Sequence, residues 1–294
     1  MEVTVVMSKD KKKLFDVAKA LKENRTEGDV NFRVVVTGKG GVGKTTTTAL
    51  LAHLFARDGY NVLAVDEDPQ MNLPYALGLD REIADAIVPI SQNLDYIEEK
   101  TGARPGTSWG LYLNLTPDIS DVVDKFGVRV TDNISVLVMG TVSKAATGCL
   151  CPENALLDAV VKFISLKKGE VILMDTQAGV EHFGRALSKG FKHCVVVTEP
   201  TFNAVEVAKR TGMLAKEIGI PNVFLLVNKV RREKDIDKVM ENVSRNEGVF
   251  DTIMFAPYDE LLLDVEPSVK PLLERETPYV EVINKLKEKL IATL

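Results

Sequence analysis

Cysteine is scarce, with three in 294 residues. That is too few for a disulfide framework, so each reads as core filler, metal ligand or reactive thiol. No uninterrupted apolar stretch approaches the ~18 to 20 residues of a bilayer helix. The longest are short pieces such as Val223–Val227, and no membrane partner or span is expected. The opening residues, Met1–Val6, carry an early acid and an apolar core too short for a secretory signal, so a cytoplasmic location is expected. Positive charge is not in surplus either. Against 42 acidic residues stand 37 basic ones, a net charge of -5, and no lysine/arginine stripe is interleaved with aromatics. Binding to nucleic acid is therefore disfavoured. Internal repeats and low-complexity tracts are missing as well. What is present is globular: 45% hydrophobic and 27% charged residues with a mean hydropathy of +0.02 exclude a disordered chain. The length admits one or two domains.

Short β-branched runs alternate with longer helical patterns. Strands are expected at Phe32–Thr37, Asn61–Asp66, Ile134–Met139, Val171–Asp175, Cys194–Thr198 and Val223–Asn228, with a helix from Gly43 to about Arg57. These runs are apolar throughout, as strands buried on both faces of a parallel sheet should be. The fold class is α/β, a doubly wound, mostly parallel sheet. Residues 1–30 read as an N-terminal strand and helix set on the sheet's edge, the helix over Lys12–Glu23 placing Leu14, Val17, Ala18 and Leu21 on one face; residues 31–294 form the main domain. The segment Ile83–Phe126 has turn signals at Gly102, Pro105-Gly106 and Pro117 and no strong period, and is expected to be an insertion across the carboxyl-end face. The last helical pattern, Val282–Ile291, is expected to pack on the domain.

After Val34–Val36 and Thr37 comes Gly38-Lys39-Gly40-Gly41-Val42-Gly43-Lys44-Thr45-Thr46, a P-loop pattern with a strand before it and a helix after. The backbone amides of Gly38, Gly40, Gly41, Val42 and Gly43 can turn inward around phosphate oxygens, at a helix start whose dipole also favours an anion. Lys44 then reaches the β- and γ-phosphates, Thr45 offers its hydroxyl to Mg²⁺, and Thr46 donates to the α-phosphate. ATP or ADP with magnesium is the expected ligand. The same glycines satisfy a dinucleotide fingerprint with Asp66 ending the next strand. That rival has no use for Lys44-Thr45 or for a second acid at Asp68. Further along, Asp175 closes the apolar run Val171–Met174, which suits a Walker B carboxylate, and Gly179 permits the following segment to act as a γ-phosphate switch.

Cys149 and Cys151 stand two apart before the helical stretch Ala155–Ile164. Two thiolates leave a tetrahedral or square-planar ion half coordinated. The chain holds no second pair, since Cys194 lies in an apolar strand and reads as an inert core residue. A two-fold dimer with two such pairs around one nickel or zinc ion on the axis completes the shell. A redox dithiol and a purely structural pair remain open alternatives. His53 reads as a packing residue and His182 as a surface or capping one, with a transient nickel ligand as its alternative role.

The stretch from Lys39 to Thr45 resembles the loop of the deviant Walker A ATPases, which include nitrogenase iron protein, MinD and plasmid-partition ATPases. The resemblance implies that Lys39 reaches across a dimer to the partner's nucleotide. In Asp66-Glu67-Asp68-Pro69 it implies that Asp68 orients or deprotonates the attacking water and Asp66 helps the magnesium shell, although either acid could instead cap the next helix. It further implies that Asn228 contacts adenine and that Pro257 lies near a second base loop. Lys39, Lys44 and Asp68 make up the expected catalytic set. With Gly148-Cys149-Leu150-Cys151-Pro152, Val138–Val142 and Met174-Asp175 through His182 added, residues 32 to 290 resemble the CooC-type ATPases. That likeness implies an ATP-hydrolysing homodimer that carries nickel at its interface and assists metal insertion into carbon monoxide dehydrogenase. Two other functions compete: a MinD- or ParA-like positioning ATPase, for which Val282–Ile291 is a weak basic amphipathic tail, and a reductase component holding an iron–sulfur cluster between protomers. Close cysteine spacing favours the single ion over the cluster.

Overall fold

The computed structural model describes residues 32–104, 113–140, 151–163, 169–177, 191–244 and 248–294, with the backbone alone at 151–154, 162 and 163. The expectations placed on residues 1–30, Cys149, Gly179 and His182 lie outside the described residues, as does the Cys151 side chain.

Among the described residues the strands are β1 (Phe32–Gly38), β2 (Asn61–Asp66), β3 (Val128–Thr131), β4 (Ile134–Val138), β5 (Glu170–Asp175), β6 (His193–Thr198), β7 (Asn222–Val230) and β8 (Thr252–Pro257). They form one sheet in the order β3-β4-β2-β5-β1-β6-β7-β8, in which only the β3–β4 pair is antiparallel. Successive residues of β1 feed opposite faces, because side chains alternate along a strand. Val34 and Val36 join a core with Leu50, Leu54 and Phe55 of the helix Lys44–Arg57 and with Ile283 and Leu286 of the helix Pro278–Ala292. Val35 joins a second core with Leu156 and Val160 of the helix Cys151–Phe163 and with Val205 and Ala208 of the helix Phe202–Glu217. Helices on both faces of a parallel sheet confirm the doubly wound arrangement.

The segment Ile83–Phe126 departs from expectation. Its helix Leu94–Thr101 starts at Asn93, whose side chain accepts the Tyr96 amide, and ends at Gly102 in the left-handed region. Ile90, Tyr96, Ile97, Ile119 and Val122 are buried in the second core. The described part of this segment is thus built into the second core, and it also meets the carboxyl end of β4, where the Ser91 amide donates to Met139 O at 3.0 Å. Its helices are too short, and their buried stripes too sparse, to display a period in the sequence.

All the parallel strands present their carboxyl ends on one side. There β2, β5 and β1 are adjacent, and the register sets Asp175 opposite both Val36 and Asp66. The loop after β1 and the acids ending β2 and β5 are gathered by this register from three distant stretches of chain.

Candidate functional site

The loop from Gly38 to Gly43 leaves β1 through a conformation that only glycine supplies. Gly38 has φ +146°, and a Cβ there would sit 2.1 Å from the carbonyl oxygen of Val197 on the neighbouring strand β6. Gly43 caps the helix Lys44–Arg57 at φ +100°, where a Cβ would meet the Asn228 amide at 2.4 Å. The helix therefore starts at Lys44 with its first amides free of side-chain caps, as an anion-binding helix end requires.

Lys44 is buried and its Nζ donates to the Lys39 carbonyl at 3.3 Å. Burial pulls its pKa down, against the attraction of Asp175 and Asp68. Thr45 Oγ1 donates to Asp175 Oδ2 at 2.6 Å. The other Asp175 oxygen is buried and accepts no hydrogen bond. Burial pushes the Asp175 carboxyl up to about 7, offset in part by the Thr45 hydrogen bond and by Lys44. Thr176 locks the strand end beside it by donating from Oγ1 to Val36 O at 3.1 Å.

Asp66 is fully buried, and both of its oxygens accept backbone amides: Oδ1 from Asp68 at 2.9 Å and Oδ2 from Leu73 at 3.0 Å. Burial, with Asp175 alongside, pushes it up to about 8. Asp68 is half-buried, lines the cleft and accepts the Gln70 amide at 2.9 Å. Glu67, between them, is pushed up to about 8 by burial first and then by Asp66, and its Oε2 is buried without a hydrogen-bond partner.

Asn228, also buried, donates from Nδ2 to Val42 O at 2.8 Å and so holds the loop from below. Lys229 follows at φ +60°, a conformation uncommon outside glycine. Its Nζ donates to Gly41 O at 2.6 Å and stands 3.6 Å from Glu199. Pro257 ends β8, and the next two residues, Tyr258 and Asp259, reach the cleft. The Arg231 guanidinium lies 3.7 Å from the Tyr258 ring centre, a stacked pair that stiffens this wall.

The cleft so formed has a volume of about 650 Å³. Gly40, Gly41, Gly43, Lys44, Thr45 and Thr46 make its floor, Asp68 through Ala76 one side, and Tyr258 through Pro267 the other. Lys39, within the loop, is exposed. The sequence placed Asn228-Lys229 and Pro257–Asp259 near the base, but the contact of Lys229 with Gly41 and the Arg231–Tyr258 stack escaped it, because they join segments that only the strand order brings together.

The donor set fits magnesium: a threonine hydroxyl paired with a carboxylate that keeps one buried oxygen unpartnered is oxygen-only and acidic. Among the described residues no three histidine, cysteine, aspartate or glutamate side chains stand close enough to hold an ion between them. Nucleotide phosphates and water would supply the remaining ligands. The same set of described residues contains no helix long and apolar enough to cross a membrane.

The family model of the CobQ/CobB/MinD/ParA nucleotide-binding domain matches residues 33–265. An ATP-binding protein of Methanocaldococcus jannaschii is 39% identical over 241 residues, covering 82% of this chain and 91% of the relative. The carbon monoxide dehydrogenase accessory protein CooC of Rhodospirillum rubrum is 35% identical over 231 residues, covering 79% and 85%. Among solved structures, the cell-division ATPase MinD of Pyrococcus furiosus superposes with a TM-score of 0.62 at 23% identity, covering 90% of this chain and all of that one.

Proposed function

The chain belongs to the CobQ/CobB/MinD/ParA nucleotide-binding family of P-loop ATPases, and from that premise we propose that it is a magnesium-dependent ATP hydrolase of the CooC type. Its cargo in this reading is nickel, delivered to carbon monoxide dehydrogenase by a homodimer. The observation that carries the hydrolase part is the Thr45–Asp175 hydrogen bond beside Lys44 at the foot of the cleft. The accessory role is supported by the 35% identity to CooC, together with the Cys149–Cys151 pair.

Inward-facing loop amides hold the phosphate oxygens, and Lys44 exchanges its bond to the Lys39 carbonyl for the β- and γ-phosphates. Because Lys44 is desolvated before the ligand arrives, its charge meets the phosphates with little water left to displace. Thr45 and Asp175 would hold the magnesium ion, which would supply neutralisation of phosphate charge when bound; Asp66, expected in its shell, instead has both oxygens taken by the Asp68 and Leu73 amides. Asp68, on the cleft wall, orients the attacking water. Lys39 of one protomer reaches the nucleotide of its partner. Asn228, which lines the cleft, contacts the adenine while it and Lys229 hold the loop from below, and the base lies against the wall that begins at Tyr258.

The thiolates of Cys149 and Cys151 from both protomers enclose one ion. The anaerobic protein is accordingly expected to bind one nickel or zinc per dimer in native mass spectrometry with metal analysis, and to lose it in Cys149→Ser. One ion per monomer, retained in that variant, refutes the shared site. A broad absorption band near about 400 nm, of the kind cluster thiolates give, would favour the iron–sulfur reductase instead.

A further inference from the structure

Three consecutive carbonyls, those of Ala76, Leu77 and Gly78, are each taken from a different direction. The Val269 amide donates to Ala76 O at 2.9 Å. His53 Nε2 donates to Leu77 O at 3.1 Å, and Lys270 Nζ donates to Gly78 O at 2.8 Å. His53 belongs to the P-loop helix, whereas Val269 and Lys270 follow the wall Tyr258–Pro267 in the chain without lining the cleft themselves. Gly78 has φ +80°, and a Cβ there would lie 2.7 Å from Cδ and Cε of Lys270 and from Ser268 Oγ. The lysine stem thus lies flat on the glycine.

This turn is continuous with the helix Leu73–Ala76, whose first amide donates to Asp66 Oδ2 while Asp66 Oδ1 accepts the Asp68 amide. A buried carboxylate accepting two amides from different residues is a strut, because neither bond can be exchanged for water without opening the core. One hydrogen-bonded path therefore runs from the base wall through Lys270, Gly78, the helix and Asp66 to Asp68.

We propose that the turn Ala76–Gly78 is a clasp that sets Asp68 by reference to the base wall, with Lys270 and Asp66 as positioning residues for hydrolysis. The proposal rests on Asp68 being the acid that orients water. The phosphate-binding amides and Lys44 are not part of this path, so its loss falls on turnover and spares binding. A group that orients a reactant loses up to about 100-fold in rate when displaced by about 1 Å.

The test is steady-state hydrolysis of magnesium-ATP by the full chain, with ADP affinity by calorimetry, for wild type, Lys270→Met, Lys270→Arg, Gly78→Ala and Asp68→Asn. Expected results are kcat lowered about tenfold in Lys270→Met and Gly78→Ala, ADP affinity kept within about twofold, and turnover restored in Lys270→Arg. The clasp is overturned if kcat is unchanged in both variants while Asp68→Asn is slow. It is equally overturned if kcat, ADP affinity and melting temperature fall together, which marks a general structural role. Full activity in Asp68→Asn removes the reading of Asp68 itself, and the clasp with it.

Discussion

At the amino end of the sheet, Phe32 packs edge-on against Phe55 and His193 with ring centres 5.4 Å away in each case, and Tyr60 and Phe224 extend the cluster. His193 is neutral there, its pKa pushed down to about 4 by burial, and its Nε2 meets Thr293 Oγ1 at 2.9 Å. At the carboxyl end the same strands finish in Asp66 and Asp175, with Glu67 beside them, and all three carboxyls are pushed up toward 7 or 8. Aromatic packing at one end stabilises the fold, and crowded acids at the other oppose it. The carboxyl end also receives the uncapped amino terminus of the helix Lys44–Arg57, so backbone and side chains together set the two ends apart. A binding end holds groups whose favourable partners arrive with the ligand, whereas a structural end holds its partners already.

Phe55→Ala, at the packed end, is the harshest way to probe this contrast: it should lower unfolding free energy by about 3–5 kcal/mol in denaturant melts. ADP affinity of the folded fraction should stay within about twofold, and a large loss of affinity would show the two ends to be coupled. Lys44→Ala, at the binding end, should weaken ATP about 100-fold, roughly 2.7 kcal/mol, in calorimetry. Its melting temperature should not drop, since a desolvated lysine opposes folding; unchanged ATP affinity would sink the P-loop assignment.

Titration separates the ends by sign. Asp66, Glu67 and Asp175 keep protons in the fold where the unfolded chain has released them, so their contribution to stability is full below the ordinary carboxyl range near 4. It is lost as pH rises toward 7 to 8. The nucleotide-free protein should therefore melt at lower temperature at about pH 8 than at about pH 5, and Asp175→Asn should flatten that slope. His193, with a depressed pKa, acts oppositely. Its contribution is full above the ordinary histidine value of 6.5 and is lost as pH falls toward 4. Replacing one histidine, His193→Gln, should produce the smallest effect, a shallower loss of melting temperature on the acid side alone.

How much of this could be read beforehand follows from burial. The strands β1, β2, β5, β6 and β7 announce themselves because both faces are covered and their runs are apolar. β8 and β3 do not, since their residues are mostly half-buried and lie at the sheet's edges. The phosphate loop was legible because its residues are contiguous and each type has a chemical reason to be there. Lys229 over Gly41, Arg231 on Tyr258 and the three carbonyls of Ala76–Gly78 were not, because they join chain segments that no spacing relates. The helix Leu94–Thr101 is signalled only by its caps.

The strand order also carries a consequence for the birth of the molecule. β1 is flanked by β5 and β6, whose residues lie at 170–175 and 193–198, so the strand that ends in the phosphate loop has no neighbour among the hundred residues that follow it. During synthesis it must wait, unpaired, until both later strands have left the ribosome, and closing so long a loop is slow. Nucleotide capture is thus a late event, and a nascent chain that retains ATP has already assembled the centre of its sheet.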